Sequence, residues 1–79
     1  MKINGKEITA EKFAFDGCHK IYLIENENDE SEAKRCKYNL LPVSELKETF
    51  KNSCGLRFIR FWNLDKAPVV GQFEDAIFE

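Results

Sequence analysis

The chain has 79 residues, an apolar content of 43% and a formal net charge of −2, which suits one small globular domain over residues 1–79. Seven phenylalanines, two tyrosines and one tryptophan supply large buried area, which favours a folded chain over disorder of the whole chain. The net charge is negative, whereas a nucleic-acid-binding domain usually has an excess of lysine and arginine. No apolar run approaches the ~20 residues of a membrane span.

The first quarter of the chain predicts a tight turn and then a helical turn. Asn4-Gly5 favours a turn because both residues tolerate positive φ, so residues 2–8 are expected to form a hairpin or a broken strand. Thr9 suits the start of a short helix at residues 10–15, with Phe13 facing the core. Residues 20–25 (KIYLIE) are apolar on both faces, which predicts an interior strand.

A polar helix is expected at residues 29–36. Asp29 lies three residues before Glu32, the spacing of a capping box. Acids cluster at the start of this segment, whereas Lys34 and Arg35 lie near its end, an order that complements the helix dipole.

A second strand and a second helix follow. Residues 38–43 (YNLLPV) predict a strand, with Pro42 restricting it to its end or to a sheet edge. Residues 45–53 predict a helix with Leu46 and Phe50, four apart, as its buried stripe. Ser44 precedes this segment and is expected to cap it.

The last predicted strand spans residues 56–62 (LRFIRFW), and the tail at residues 72–79 fits either an amphipathic helix or an extended edge. Together the elements predict an α+β fold with a sheet of about three or four strands packed against short helices. The strand order stays open.

Five carboxylates fall within eight residues between the first two predicted strands. A calcium loop is disfavoured because the run has no mid-loop glycine. A solvated helix start and a patch that binds a basic partner surface both remain open. The candidate partner-binding residues are Glu25, Glu27, Asp29, Glu30 and Glu32, with Glu74 and Asp75 from the acidic tail.

Two arginines and a tryptophan give an alternative nucleic-acid interface. Arg57, Arg60 and Trp62 interleave with aromatic residues, as in platforms that bind single strands. Alternation puts core-sized side chains and one arginine on each face, so a central strand is favoured over an exposed platform.

The three cysteines and the single histidine are the remaining candidates for a metal site or for thiol chemistry. An odd cysteine count without a signal-peptide pattern indicates free thiols in the cytoplasm. Zinc or thiol chemistry would need Cys18, His19, Cys36 and Cys54 to converge, yet the only close pair is adjacent in sequence. We therefore expect no enzyme activity, no metal and no cofactor, with a thiol or zinc domain kept as an alternative.

The runs CHKIYLIE at residues 18–25, YNLLPV at 38–43 and LRFIRFW at 56–62, closing on QFE at 72–74, resemble small proteins of phages and mobile elements. Some of these proteins act as anti-CRISPR inhibitors. The resemblance implies an inhibitor that works in the host cytoplasm, occupies a surface of a CRISPR effector complex and blocks DNA binding. We expect a monomer or weak dimer. DNA-mimicking inhibitors are usually more acidic than −2, so any mimicry here would be local, at residues 25–32 and the tail.

Overall fold

A computed structural model describes residues 1–17, 20–52, 58–63, 65–66, 68–71 and 76–79. The fold is α+β, with a four-stranded mixed sheet, a two-stranded hairpin and two α-helices. Within the described ranges, no helix combines the length and apolar surface needed to cross a bilayer. The elements are β1 (Lys2–Ile3), β2 (Lys6–Glu7), β3 (Lys12–Phe15), β4 (Ile21–Ile24), α1 (Glu27–Arg35), β5 (Asn39–Pro42), a 3₁₀ turn (Val43–Glu45), α2 (Leu46–Asn52) and β6 (Ile59–Phe61).

The predicted N-terminal hairpin is confirmed. Asn4 and Gly5 join β1 to antiparallel β2 with φ values of 51° and 80°. Both values lie in the left-handed region, which asparagine and glycine enter at the lowest cost. The local sequence favours this turn, and the tail holds it: Asn4 N–H donates to the Ile77 carbonyl at 2.8 Å, and Asn4 Oδ1 accepts from Ile77 N–H at 2.6 Å.

The end of the tail is extended and pairs with the hairpin. Lys2 N–H donates to the Glu79 carbonyl at 3.0 Å, and Glu79 N–H donates back to the Lys2 carbonyl at 2.8 Å. Phe78 packs onto the core and meets the Phe50 ring edge-on at 5.9 Å, whereas Ile77 is 61% exposed. The tail thus docks on its own domain through Phe78.

The helix predicted at residues 10–15 is wrong, because Lys12–Phe15 forms β3. Phe13 and Ala14 point to opposite faces of the sheet, and both are fully buried. A helix this short would make few internal hydrogen bonds. As a strand, the same segment pairs with β4 on one side and β5 on the other, so long-range pairing overrides the local signal.

The four-stranded sheet has the order β5-β3-β4-β6. β3 is antiparallel to both of its neighbours, whereas β4 and β6 are parallel, with Ile21 opposite Ile59. The strands predicted at residues 20–25, 38–43 and 56–62 are confirmed with narrower bounds, although residues 53–57 lie outside the described part. β4 is interior and β5 is an edge strand that ends at Pro42, both as expected. The central position expected for the strand at residues 56–62 is wrong, because among the described residues β6 ends the sheet and pairs with β4 alone apart from one bridge to Val70.

Each face of the sheet carries one helix. Leu46 and Phe50 of α2 are buried as predicted, and they pack on the face that holds Phe13 and Leu23. Ala33 of α1 packs on the opposite face, against Ala14 and Ile24. Strand alternation sends successive side chains to these two separate cores. The α1 face also holds the partly buried side chains of Tyr22, Tyr38, Leu40 and Trp62.

Both predicted helix caps are corrected. α1 begins two residues earlier than predicted, and its N-cap is Asn26, whose Oδ1 accepts a 2.9 Å hydrogen bond from Asp29 N–H. Asp29 is therefore the third residue of the helix, and its carboxylate adds to the favourable acidic first turn. Ser44 caps nothing, since it lies inside the 3₁₀ turn that follows Pro42.

Candidate functional site

Helix α1 divides the predicted acidic run into two groups on different sides. Asp29 and Glu32 are three residues apart and line one depression. Glu27 and Glu30 are also three apart, and with Glu25 they line a second depression of about 330 Å³. The run is therefore two patches with different surroundings.

The second patch is largely paired with lysines of its own chain. Lys12 Nζ lies 2.6 Å from Glu30 Oε1, and Lys66 Nζ pairs with Glu25 Oε1. The hydrogen bond from Lys12 lowers the pKa of Glu30, and the same bond raises the pKa of Lys12. These carboxylates contribute to the fold and offer less free charge to a partner.

The first patch borders a pocket of about 510 Å³ on the α1 side of the sheet. Its volume lies in the range of small-ligand pockets. We call it the acidic-aromatic pocket, because three aromatic rings and three carboxylates share its wall. Its lining residues are Tyr22, Asp29, Glu32, Cys36, Tyr38, Trp62, Asn63 and Asp65.

The three rings meet edge to face. Ring centroids are 5.8 Å apart for Tyr22 and Tyr38, 5.3 Å for Tyr22 and Trp62, and 5.2 Å for Tyr38 and Trp62. The ring planes cross at 72°, 79° and 87° in the same order. Edge-to-face contacts are favourable for aromatic pairs, so the rings support one another in fixed orientations. The pocket wall is therefore preorganised.

The position of each ring follows from strand alternation. Tyr22 lies between the fully buried Ile21 and Leu23 and so faces the opposite side of β4. Trp62 follows Phe61, which is buried in the α2-side core, and it turns to the α1 side. Tyr38 immediately precedes β5, and partial burial raises the pKa of its hydroxyl. The chain thus brings rings from three separate segments to one place.

Three carboxylates of the pocket have no ion-pair partner in the described part of the chain: Asp29, Glu32 and Asp65. Asn63 Oδ1 accepts a 2.9 Å hydrogen bond from Asp65 N–H and so orders the loop that carries Asp65. No lysine or arginine is among the described lining residues. Carboxylates and π faces both attract cations, so the pocket is suited to a positively charged group.

The two described residues of the nucleic-acid alternative, Arg60 and Trp62, are both partly buried. The Arg60 guanidinium lies over the Phe58 ring, 4.4 Å from its centroid, and Arg60 Nε is buried with no acceptor among the described residues. Trp62 belongs to the acidic-aromatic pocket, whose carboxylates repel phosphate. Arg57 lies outside the described residues.

The thiol set is mostly outside the described residues, as are Glu74 and Asp75 of the tail. Cys18, His19 and Cys54 have no described position, so convergence of the four ligands stays a prediction. Cys36 is exposed and lines the acidic-aromatic pocket. Among the side chains whose positions are given, no three potential metal ligands cluster together.

Sequence reasoning missed four residues of the pocket: Tyr22, Tyr38, Asn63 and Asp65. One signal was available, because Asp29, Glu32 and Cys36 follow the i, i+3, i+7 spacing of one helix stripe. Alternation also placed Tyr22 opposite Ile21 and Leu23. The strand order that brings these segments together was not readable from the sequence.

Comparison of the chain with protein-family models, with curated proteins and with solved structures returned no match. Its function is therefore argued from the chemistry of its own side chains. The acidic-aromatic pocket combines a preorganised wall, unpaired charge and access from solvent.

Proposed function

We propose that this chain is a non-enzymatic interaction protein that binds a basic surface of a partner protein through the acidic-aromatic pocket and the adjoining face of α1. The main support is a set of three carboxylates, Asp29, Glu32 and Asp65, that line an aromatic pocket. None of the three has an ion-pair partner in the described ranges. Tyrosine and tryptophan are enriched among the residues that dominate protein interfaces, and a polar rim around them is usual.

The two acidic patches have unequal weight in this proposal. Glu25 and Glu30 already pair with lysines of their own chain, and exposed pairs of this kind add little energy to a new contact. Asp29 and Glu32 keep their full attraction for an incoming cation. We therefore assign the main partner contact to the pocket side of α1.

The more specific form of the proposal is an anti-CRISPR-type inhibitor that covers a DNA-binding surface of a CRISPR effector complex. Such surfaces are rich in lysine and arginine because they neutralise phosphates. A compact patch of carboxylates can occupy the same groups and so exclude DNA. Local acidity at α1 suits this mechanism despite the small net charge of the whole chain.

The test measures DNA binding by a panel of purified CRISPR effector complexes with and without the protein. Inhibition of at least one effector is expected, and the double variant Asp29→Lys/Glu32→Lys should abolish it. The matched control is Glu45→Lys/Glu48→Lys, which makes the same charge change at the start of α2. That control should inhibit like the native chain.

Two results would contradict the proposal at different levels. If no effector loses DNA binding, the anti-CRISPR form is wrong. If inhibition survives in Asp29→Lys/Glu32→Lys, the protein inhibits through another surface. A gel shift with single-stranded DNA at ~50 mM and ~200 mM salt covers the nucleic-acid alternative, because phosphate contacts are salt-sensitive.

A further inference from the structure

The acidic-aromatic pocket presents two kinds of surface to one ligand. The partly buried rings of Tyr22, Tyr38 and Trp62, set edge to face, provide a weakly polar aromatic wall. Carboxylates of Asp29, Glu32 and Asp65 provide acceptors on the same wall. A ligand that uses both must carry positive charge, a planar or apolar body and N–H donors.

Among the cations that proteins carry, arginine meets all three conditions. Its guanidinium group is planar, stacks on aromatic rings and presents a fork of N–H donors that matches a carboxylate. The lysine ammonium is compact and strongly hydrated, so it gains less from an aromatic wall. A quaternary ammonium group has no N–H and leaves the carboxylates without hydrogen bonds.

The chain itself contains an instance of this chemistry on the same side of the sheet. The Arg60 guanidinium lies 4.4 Å from the centroid of the Phe58 ring. The Nζ atoms of Lys6 and Lys66 lie 5.0 and 5.1 Å from the centroid of the Phe61 ring, which is farther than Arg60 lies from Phe58. Arginine thus makes the closer aromatic contact within this fold.

We propose that the acidic-aromatic pocket binds the arginine side chain of a protein partner, with the guanidinium group against the aromatic rings and its N–H groups donating to Asp29 and Glu32. This inference rests on the proposed function and specifies its central contact. Asp65 lines the same pocket and adds long-range attraction, and its backbone N–H is held by Asn63 Oδ1.

Three peptides separate charge from shape: acetylated and amidated Gly-Arg-Gly, Gly-citrulline-Gly and Gly-Lys-Gly. Citrulline keeps the planar urea shape of arginine without its charge. Trp62 is the only tryptophan of the chain, so both its fluorescence and the NMR signal of its indole N–H report on the pocket directly.

The arginine peptide is expected to shift the Trp62 signals in a saturable manner. The citrulline peptide should bind about tenfold more weakly or not at all, because one charge-assisted hydrogen bond corresponds to about that factor. The lysine peptide should lie between the two.

The matched variants are Asp29→Asn/Glu32→Gln and Glu45→Gln/Glu48→Gln. Both remove two charges with little change of shape, but only the first pair lines the pocket. Binding of the arginine peptide should weaken about tenfold in the first variant and stay unchanged in the second. An unchanged amide spectrum outside the pocket verifies that each variant is folded.

Equal binding of the arginine and citrulline peptides, or no saturable shift with either, would overturn the inference. The proposed function would still stand if Asp29→Lys/Glu32→Lys abolished effector inhibition in the same preparation. Conversely, the arginine peptide could bind while Asp29→Lys/Glu32→Lys still inhibits the effector like the native chain. That result would support the pocket chemistry and contradict the proposed function. The two ideas therefore fail through different measurements.

Discussion

Lys12 Nζ donates a 2.6 Å hydrogen bond to Glu30 Oε1 and so joins β3 to α1 on one face of the sheet. The lysine extends from a strand that has a buried phenylalanine on its other face. The contact fixes one side of α1, and Asp29 and Glu32 on its other side border the acidic-aromatic pocket. An internal ion pair thus helps to orient the carboxylates assigned to partner binding.

The Lys12–Glu30 pair predicts an acid-sensitive and salt-sensitive coupling. Because Lys12 lowers the pKa of Glu30, the stabilisation is present above the unfolded-chain pKa and is lost as pH falls through the lower folded-state pKa. A double-mutant cycle with Lys12→Met and Glu30→Gln, measured by urea unfolding, should show coupling at pH 7. The coupling should vanish near pH 2 and weaken in ~1 M salt. Equal coupling at pH 2 and pH 7 would contradict the assignment.

Tyr38 predicts a loss of stability in strong base. Partial burial raises the pKa of its hydroxyl, so the unfolded chain ionises first and stability falls once pH exceeds the ordinary tyrosine value of about 10. Absorbance at the tyrosinate band should show a later titration for Tyr38 than for Tyr in the unfolded chain. The Tyr22→Phe variant isolates the signal, since the chain has two tyrosines. Titration of Tyr38 at the unfolded value in this variant would exclude the burial effect.

The Asn26 cap predicts a measurable cost on truncation. Asn26→Ala removes the acceptor for Asp29 N–H and should lower the free energy of unfolding by about 1 kcal/mol. Asn26→Asp keeps a capping oxygen and should retain most of the stability. Asn28→Ala is the control in the same helical turn, and its exposed side chain should cost much less. Urea unfolding compares the three, and a larger cost at Asn28 would refute the cap.

The burial of Ala33 predicts that a larger side chain at this position will destabilise the packing of α1 on the sheet. It is fully buried against Ala14 and Ile24, so Ala33→Leu should destabilise the protein by about 1 to 3 kcal/mol through overpacking. Ser31→Leu inserts the same side chain at an exposed position of the helix and should have little effect. Thermal unfolding of the two variants gives the comparison. A neutral Ala33→Leu would mean that α1 is less closely packed on the sheet.

Local sequence decided the elements whose signals are chemical and short-range. Asn4 and Gly5 adopt the positive φ that asparagine and glycine enter at the lowest cost. Pro42 ends an edge strand because it has no N–H to donate to a further strand. The continuous apolar run at Ile21–Ile24 indicated an interior strand, because a strand that is covered on both faces has apolar side chains on both faces. These features were predictable from neighbours in the chain.

Tertiary structure decided the rest, because the deciding contacts join residues far apart in sequence. Lys12–Phe15 becomes a strand only where two other strands offer hydrogen bonds on both sides. The acidic run shows five equivalent carboxylates in the sequence, and folding pairs Glu25 and Glu30 with lysines while leaving Asp29 and Glu32 at the pocket. The rings of Tyr22, Tyr38 and Trp62 meet because the strand order and two helical crossovers bring three segments together. Their chemistry is written in the sequence, but their proximity is a property of the folded chain.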